Sequence, residues 1–131
     1  MEEIKFRVWD PAGKQMCPVI VADFQDIQTK AFCRFPKSGT QGIISADLMQ
    51  YTGVKDKNGV EIYEGDIIRH QSGKYGTDFE IKWSPILCGF TAMQIESGHP
   101  SPQLNQGTMC YFEVVGNIYE NPELVSNEAN T

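Results

Sequence analysis

A turn between two strand-like segments constrains the fold of this chain more than any other feature. In residues 48–52 (LMQYT) alternate side chains point to opposite faces, the period-two pattern of a half-buried strand. Residues 56–59 (DKNG) follow, and Asn58 and Gly59 both adopt positive φ at low cost. A type I′ hairpin turn needs that conformation at its two central positions. Apolar residues resume in residues 60–68, so the block predicts strand, turn and strand.

Three acidic residues follow the turn, and they allow two interpretations. Glu61, Glu64 and Asp66 could form a paired-carboxylate site for a metal or for acid–base chemistry. No His, Lys or further acid stands at a spacing that completes such a site. Gly65-Asp66 is also a typical tight bend, in which a carboxylate accepts local backbone N–H bonds. We therefore favour a structural role for Glu64 and Asp66 at a turn or rim.

The same block resembles the signature of the YopX family, small proteins encoded by bacteriophages and prophages. The resemblance rests on five segments in the family's order: 5–10 (KFRVWD), 48–53 (LMQYTG), 55–59 (KDKNG), 62–67 (IYEGDI) and 114–124 (VVGNIYENPEL). Together they cover about a quarter of the 131 residues but span nearly the whole chain. The family has no established activity, so the resemblance implies a fold and a phage or prophage origin more than a mechanism.

Length and charge narrow the class of protein. A chain of 131 residues is expected to form one domain, and 40% hydrophobic residues are enough for a globular core. No apolar run approaches the length of a membrane span, and the acidic start of the chain is unlike a secretory signal. We therefore expect a protein of the bacterial host cytoplasm with no membrane contact. The net charge of −6 disfavours a protein that coats nucleic acid.

The cysteines and histidines do not form a recognisable site. Cys17, Cys33, Cys88 and Cys110 stand far apart with no CxxC pair, and the two histidines are isolated. Structural zinc sites usually show paired ligands at close spacing. We expect reduced, mostly buried cysteines, no metal and no cofactor.

The remaining pattern predicts a mainly β protein. About seven short strands, separated by turn residues, favour a small β-barrel or sandwich with little helix. With the resemblance, this predicts an SH3-like-sized barrel over residues 45–125, with an N-terminal strand region 1–35 packed on it. Residues 36–42 and 97–107 are predicted as loops, and Asn121-Pro122 as the start of a short helix.

Three functions can be compared for a protein with this fold. The first, an enzyme, is not expected, because acids, bases and nucleophiles do not cluster in the sequence. A module that binds a host or phage protein, or that forms a homo-oligomer through open strand edges, is favoured. Its candidate interaction surface comprises Trp9, Tyr51, Lys55, Lys57, Tyr63, Glu64 and Asp66. The alternative is a nucleic-acid-binding β-barrel, in which aromatic and basic side chains stack and pair with a single strand. The residues that motivate it are Lys5, Arg7, Trp9, Tyr51, Lys55, Lys57 and Tyr75.

Overall fold

The computed structural model describes residues 4–23, 30–45, 47–73, 77–96 and 104–125 of the chain. These form ten strands and one short α-helix, and the chain divides into two compact units, 1–51 and 52–131. The strands are β1 (Phe6–Asp10), β2 (Gln15–Asp23), β3 (Lys30–Arg34), β4 (Gln41–Ser45), β5 (Met49–Lys55), β6 (Glu61–Tyr63), β7 (Asp66–His70), β8 (Phe79–Ser84), β9 (Gly89–Gln94) and β10 (Phe112–Asn117), and the helix is α1 (Gln106–Met109). None of the helices described is long and apolar enough to cross a membrane.

The first unit is an antiparallel sheet in the order β4-β3-β2-β1-β5, in which the first half of β5 pairs with β1. The side chains of alternate positions meet on one face, where Val8, Cys17, Ala31 and Cys33 are fully buried. A β-bulge in β2, between Val19 and Val21, shifts the register against β3. Strand β4 is the end strand of this sheet.

The second unit contains an antiparallel sheet in the order β10-β7-β8-β9. One face of that sheet carries the core of the unit, and residues outside the sheet complete it. The buried members of this core are Ile62, Ile68, Phe79, Ile81, Ala92, Met109 and Phe112. Ile62 comes from β6 and Met109 from α1, so a short strand and a single helical turn close the apolar face.

The mainly β prediction is confirmed, but a closed SH3-like barrel is not found in the described part of the chain. A barrel requires the first and last strands of the sheet to pair with each other. Here β10 and β9 are the end strands of the second unit's sheet, which remains open. The core is covered instead by Met109 and Ile62, and no sequence pattern pointed to the helix that supplies Met109.

Two loop predictions were too long at their ends. Gln41 and Gly42, which we assigned to the loop 36–42, begin strand β4. Gln106 and Gly107, assigned to the loop 97–107, belong to α1, whose start is fixed by a capping box between Asn105 and Thr108. Residues 97–103 of that loop lie outside the described residues. A 3₁₀ turn over Pro122–Leu124 confirms the short helix, but the Asn121 side chain does not cap it.

The turn at the centre of the sequence differs from the expected type. Gly59 has a φ of +80°, whereas Asn58 does not have positive φ, so this is not a type I′ turn. The Asp56 side chain holds the turn instead, because its Oδ1 accepts hydrogen bonds from Asn58 N at 2.8 Å and Val60 N at 2.9 Å. An Asx-type turn of this kind needs positive φ at only one position. A register shift between Val114 and Gly116 marks a β-bulge in β10.

Candidate interaction surfaces

Two aspartates of the central block, Asp56 and Asp66, accept hydrogen bonds from backbone N–H groups. Asp56 is buried, and its Oδ2 accepts a third hydrogen bond, from Val114 N on β10, at 2.9 Å. Asp66 is also buried, and its Oδ2 accepts from Tyr63 N at 2.8 Å across the bend at Gly65. These contacts fit the structural role proposed for Asp66. They orient the acids towards N–H groups and away from a shared metal position.

A second set of contacts fixes the same bend from the C-terminal segment. Gly65 O accepts from Ile118 N at 2.9 Å, and Gly65 N donates to Ile81 O at 2.9 Å. Asn117 Oδ1 accepts from the backbone N–H groups of the two residues Tyr119 and Glu120, at 3.0 and 2.9 Å. Two of the segments that carry the resemblance, 62–67 and 114–124, are therefore joined by a main-chain hydrogen bond. Their polar groups hold the fold together here and do not form a site.

The residues of the predicted interaction surface differ in their exposure to solvent. Lys55 and Lys57 are exposed on the central turn, and Tyr63, Glu64 and Trp9 are half-buried. Tyr51 and Asp66 are buried and cannot contact a partner directly. The Lys5 ammonium lies 5.0 Å from the centre of the Tyr51 ring, a cation–π contact within the first unit. Tyr75, which belonged to the nucleic-acid alternative, lies outside the described residues.

The described residues contain no group of three or more His, Cys, Asp or Glu that could hold a metal ion. The four cysteines are free. Cys17 and Cys33 are buried together, as expected, whereas Cys88 and Cys110 are exposed, contrary to expectation. Burial raises the pKa of the Cys17 thiol to about 11, and it also raises the pKa of Cys33. Thiols held protonated in this way are poor nucleophiles.

Among the described residues of the second unit, the two most exposed large apolar side chains, Ile86 and Leu87, lie at the end of the β8–β9 hairpin. Ile86 is 90% exposed, Leu87 60% and Trp83 51%. Two contacts hold this hairpin end: Trp83 faces Phe90 edge-on at 5.2 Å between ring centroids, and Leu87 N donates to Ser84 Oγ at 3.2 Å. Sequence reasoning missed this site. Trp83 continues the alternation of the buried residues Phe79 and Ile81, but it lies beyond the part of the strand that the core covers.

The second exposed apolar feature lies in the first unit. Val21, Phe32 and Ile43 are directly opposite one another on β2, β3 and β4, so their side chains form one row across the sheet. Val21 is 61% exposed, Ile43 is 69% exposed, and Phe32 between them is half-buried. The row ends at β4, a strand of sequence QGIIS without a charged residue. Soluble proteins usually guard such an edge with charge or proline.

The charge is divided unevenly between the two units. Residues 1–51 contain equal numbers of acidic and basic residues, so the first unit has no formal net charge. The whole net charge of −6 therefore belongs to residues 52–131. The exposed row and edge lie on a neutral unit, and the exposed hairpin end lies on an acidic one.

These features define a small antiparallel β protein with open sheet edges and two exposed apolar surfaces. A family model described as YopX protein matches residues 5–126, and the chain belongs to this family. It is also similar to a solved structure, the crystal structure of protein EF1440 from Enterococcus faecalis. The two share 28% identity with a TM-score of 0.65, over 95% of this chain and 99% of that one. No curated protein sequence gives a significant match.

Proposed function

We propose that this protein is an interaction module, of phage or prophage origin, that acts by contact with other proteins and not by catalysis. The observation that carries the proposal is the exposed apolar end of the β8–β9 hairpin. Ile86 and Leu87 are the two most exposed large apolar residues of this hairpin and Trp83 follows them, so the described part of the chain leaves at least half of each side chain uncovered. Aromatic and aliphatic side chains of this kind act as anchors that enter a pocket on a partner.

The hairpin end is pre-organised for such a contact. Strands β8 and β9 pair along their whole length, from Phe79 with Gln94 to Ser84 with Gly89. The edge-on contact of Trp83 with Phe90 restricts the indole, which lowers the side-chain entropy lost on binding. A pre-organised hairpin loses less conformational entropy on binding than a flexible loop with the same residues. More of the free energy gained from burial therefore remains as affinity.

The charge of the second unit indicates the chemistry of the partner. Residues 52–131 carry the net charge of −6, which attracts a surface rich in Lys and Arg and repels the phosphates of nucleic acid or of anionic lipid. We therefore propose a host or phage protein with an apolar pocket rimmed by basic residues, met in the bacterial cytoplasm. Nucleic-acid binding is the alternative that the experiment has to separate from this one.

The test is affinity capture from bacterial lysate with matched variants, each lysate divided into nuclease-treated and untreated halves. The variant Ile86→Asp with Leu87→Asp places two acids at the hairpin end, and Ile4→Asp is the control because Ile4 is 73% exposed and lies outside both surfaces. The proposal predicts that the wild type captures a partner protein and that this capture survives nuclease treatment. The Ile4→Asp control should capture the same protein, and the hairpin variant should not. The proposal would be overturned if the hairpin variant captured the same protein as the wild type, or if nuclease treatment abolished the capture.

A further inference from the structure

The alternation of hydrogen bonds along β4 shows which of its backbone groups face outward. Phe35 N donates to Thr40 O at 2.8 Å, so Phe35 and Thr40 form a hydrogen-bonded pair at the β3–β4 turn. Such pairs alternate along an antiparallel ladder. With the observed register, Gly42 opposite Cys33 and Ile44 opposite Ala31 are the next hydrogen-bonded pairs. The backbone N–H and C=O groups of Gln41, Ile43 and Ser45 therefore point to the outer edge of the sheet.

We propose that two copies of this chain pair through the free edge of β4, antiparallel, about a two-fold axis at Ile43. The pairing would place Ile43 opposite its own copy and Gln41 opposite Ser45 of the other chain. These are the residues whose backbone groups point outward, so the pairing would form about six main-chain hydrogen bonds. The inference rests on the proposed function in taking contact between proteins as the activity, but it uses a different surface.

The side chains of β4 fit a second copy of the same strand. The sequence QGIIS has no charge and no proline, so no like charges meet and no donor is missing when the strand pairs with itself. The exposed row of Val21, Phe32 and Ile43 would continue across the axis into the same row of the other chain. Cross-strand pairs of β-branched and aromatic side chains stabilise a sheet in this arrangement.

Charge also favours a second copy at this edge. The unit that carries β4 has no formal net charge, so two such units approach each other without the repulsion that the acidic residues 52–131 would cause. A two-fold contact uses the same patch on both chains and closes after one addition. The expected product is a dimer, not an open fibre.

The first arm of the test measures molar mass by light scattering at increasing protein concentration. The wild type should reach the mass of a dimer. Ile43→Lys brings two ammonium groups together on the axis, and it should halve the mass at concentrations where the wild type is dimeric. Ile86→Lys is the matched control, because it makes the same change at an exposed isoleucine in the other unit and should leave the dimer intact.

A second variant addresses the backbone alone. Ile43→Pro removes an N–H that points to the outer edge, and proline is tolerated on an edge strand at such a position. The β3–β4 ladder should survive, as shown by an unchanged circular dichroism spectrum, while the mass falls to that of a monomer. A wild type that stays monomeric, or a dimer that persists in both Ile43 variants, would overturn the proposal. Neither result decides the proposed function. That proposal is tested separately, by whether the Ile86 and Leu87 double variant loses capture of a partner protein.

Discussion

The Asp56 carboxylate binds Val114 N at 2.9 Å, and so joins two positions that are 58 residues apart in the sequence. Its other oxygen holds the central turn through Asn58 N and Val60 N. One buried acid thus connects the turn to β10. Two of the segments on which the family resemblance rests, 55–59 and 114–124, meet at this residue, which gives a physical reason for a turn sequence and a distant strand to occur together.

Replacement of Asp56 tests that connection. Asp56→Ala removes the acceptor of three backbone N–H groups, and the loss should lower the free energy of unfolding by about 2–4 kcal/mol. Lys57→Ala is the control, since Lys57 is exposed in the same turn. Urea unfolding of both variants gives the comparison. A difference between them smaller than about 0.5 kcal/mol would show that the carboxylate is dispensable.

The Asn121 side chain occupies the space that a Cβ at position 116 would need, so glycine should be required there. A Cβ added there would lie 2.4 Å from Asn121 Oδ1, and that oxygen accepts a hydrogen bond from Asn117 N. Gly116→Ala should therefore lower the free energy of unfolding by about 1–3 kcal/mol. In an Asn121→Ala background the two nearest atoms are removed and only the Cβ of residue 121 remains, at 3.1 Å, so the same change should cost clearly less. Equal costs in the two backgrounds would contradict the proposed clash.

The carboxyl group of Glu80 should make stability depend on pH. Burial raises the pKa of Glu80 above its usual 4.5, with Lys82 opposing the shift. The folded protein then holds this proton to higher pH than the unfolded chain does, and stability falls as pH rises through the raised pKa. Glu80→Gln should accordingly melt above the wild type at pH 7, and the difference should vanish below pH 4.5.

The control for this pH dependence is Glu96→Gln, because Glu96 is exposed. It should follow the wild type at both pH values. A Glu80→Gln variant that melts at or below the wild type at pH 7 would show that the Glu80 carboxylate stabilises the fold.

The four cysteines should separate into two reactive and two protected thiols. Cys88 and Cys110 are exposed, whereas Cys17 and Cys33 are buried, with the pKa of Cys17 raised to about 11. At pH 8 a thiol reagent should modify two groups rapidly in the folded protein and all four in denaturant. Loss of the rapid reaction in a Cys88→Ser, Cys110→Ser variant confirms the assignment. Rapid modification of that variant would contradict the burial of the first unit's core.

Most strands could be predicted from the sequence, because a half-buried strand imposes a local alternation that is visible in β1, β8 and the first part of β5. Strand β4 was missed, since its only apolar residues are Ile43 and Ile44 and the glycines around it resemble a loop. Helix α1 has four residues, too few for a helical period, and only its capping residues Asn105 and Thr108 mark it. These two short elements account for the main differences between the predicted and the observed fold. Strand β4 leaves a sheet edge open, and helix α1 covers the core of the second unit.

The candidate surface was harder to predict than the fold. Tyr51 and Asp66 belong to the most distinctive sequence block, but that block is distinctive because its side chains hold the chain together, and both residues are buried. Trp83 and Ile43 follow ordinary alternation, and their exposure depends on how far the core extends over each strand. Distances along the sequence do not contain that information.

Amide hydrogen exchange in β4, followed at low and high protein concentration, tests the proposed pairing most directly. The N–H groups of Gly42 and Ile44 point towards β3 and should be protected at both concentrations. Those of Gln41, Ile43 and Ser45 point outward, and they should become protected only at the high concentration, together with a doubling of molar mass. If the Ile43 amide exchanges equally fast at both concentrations while Gly42 stays protected, β4 does not pair with a second copy.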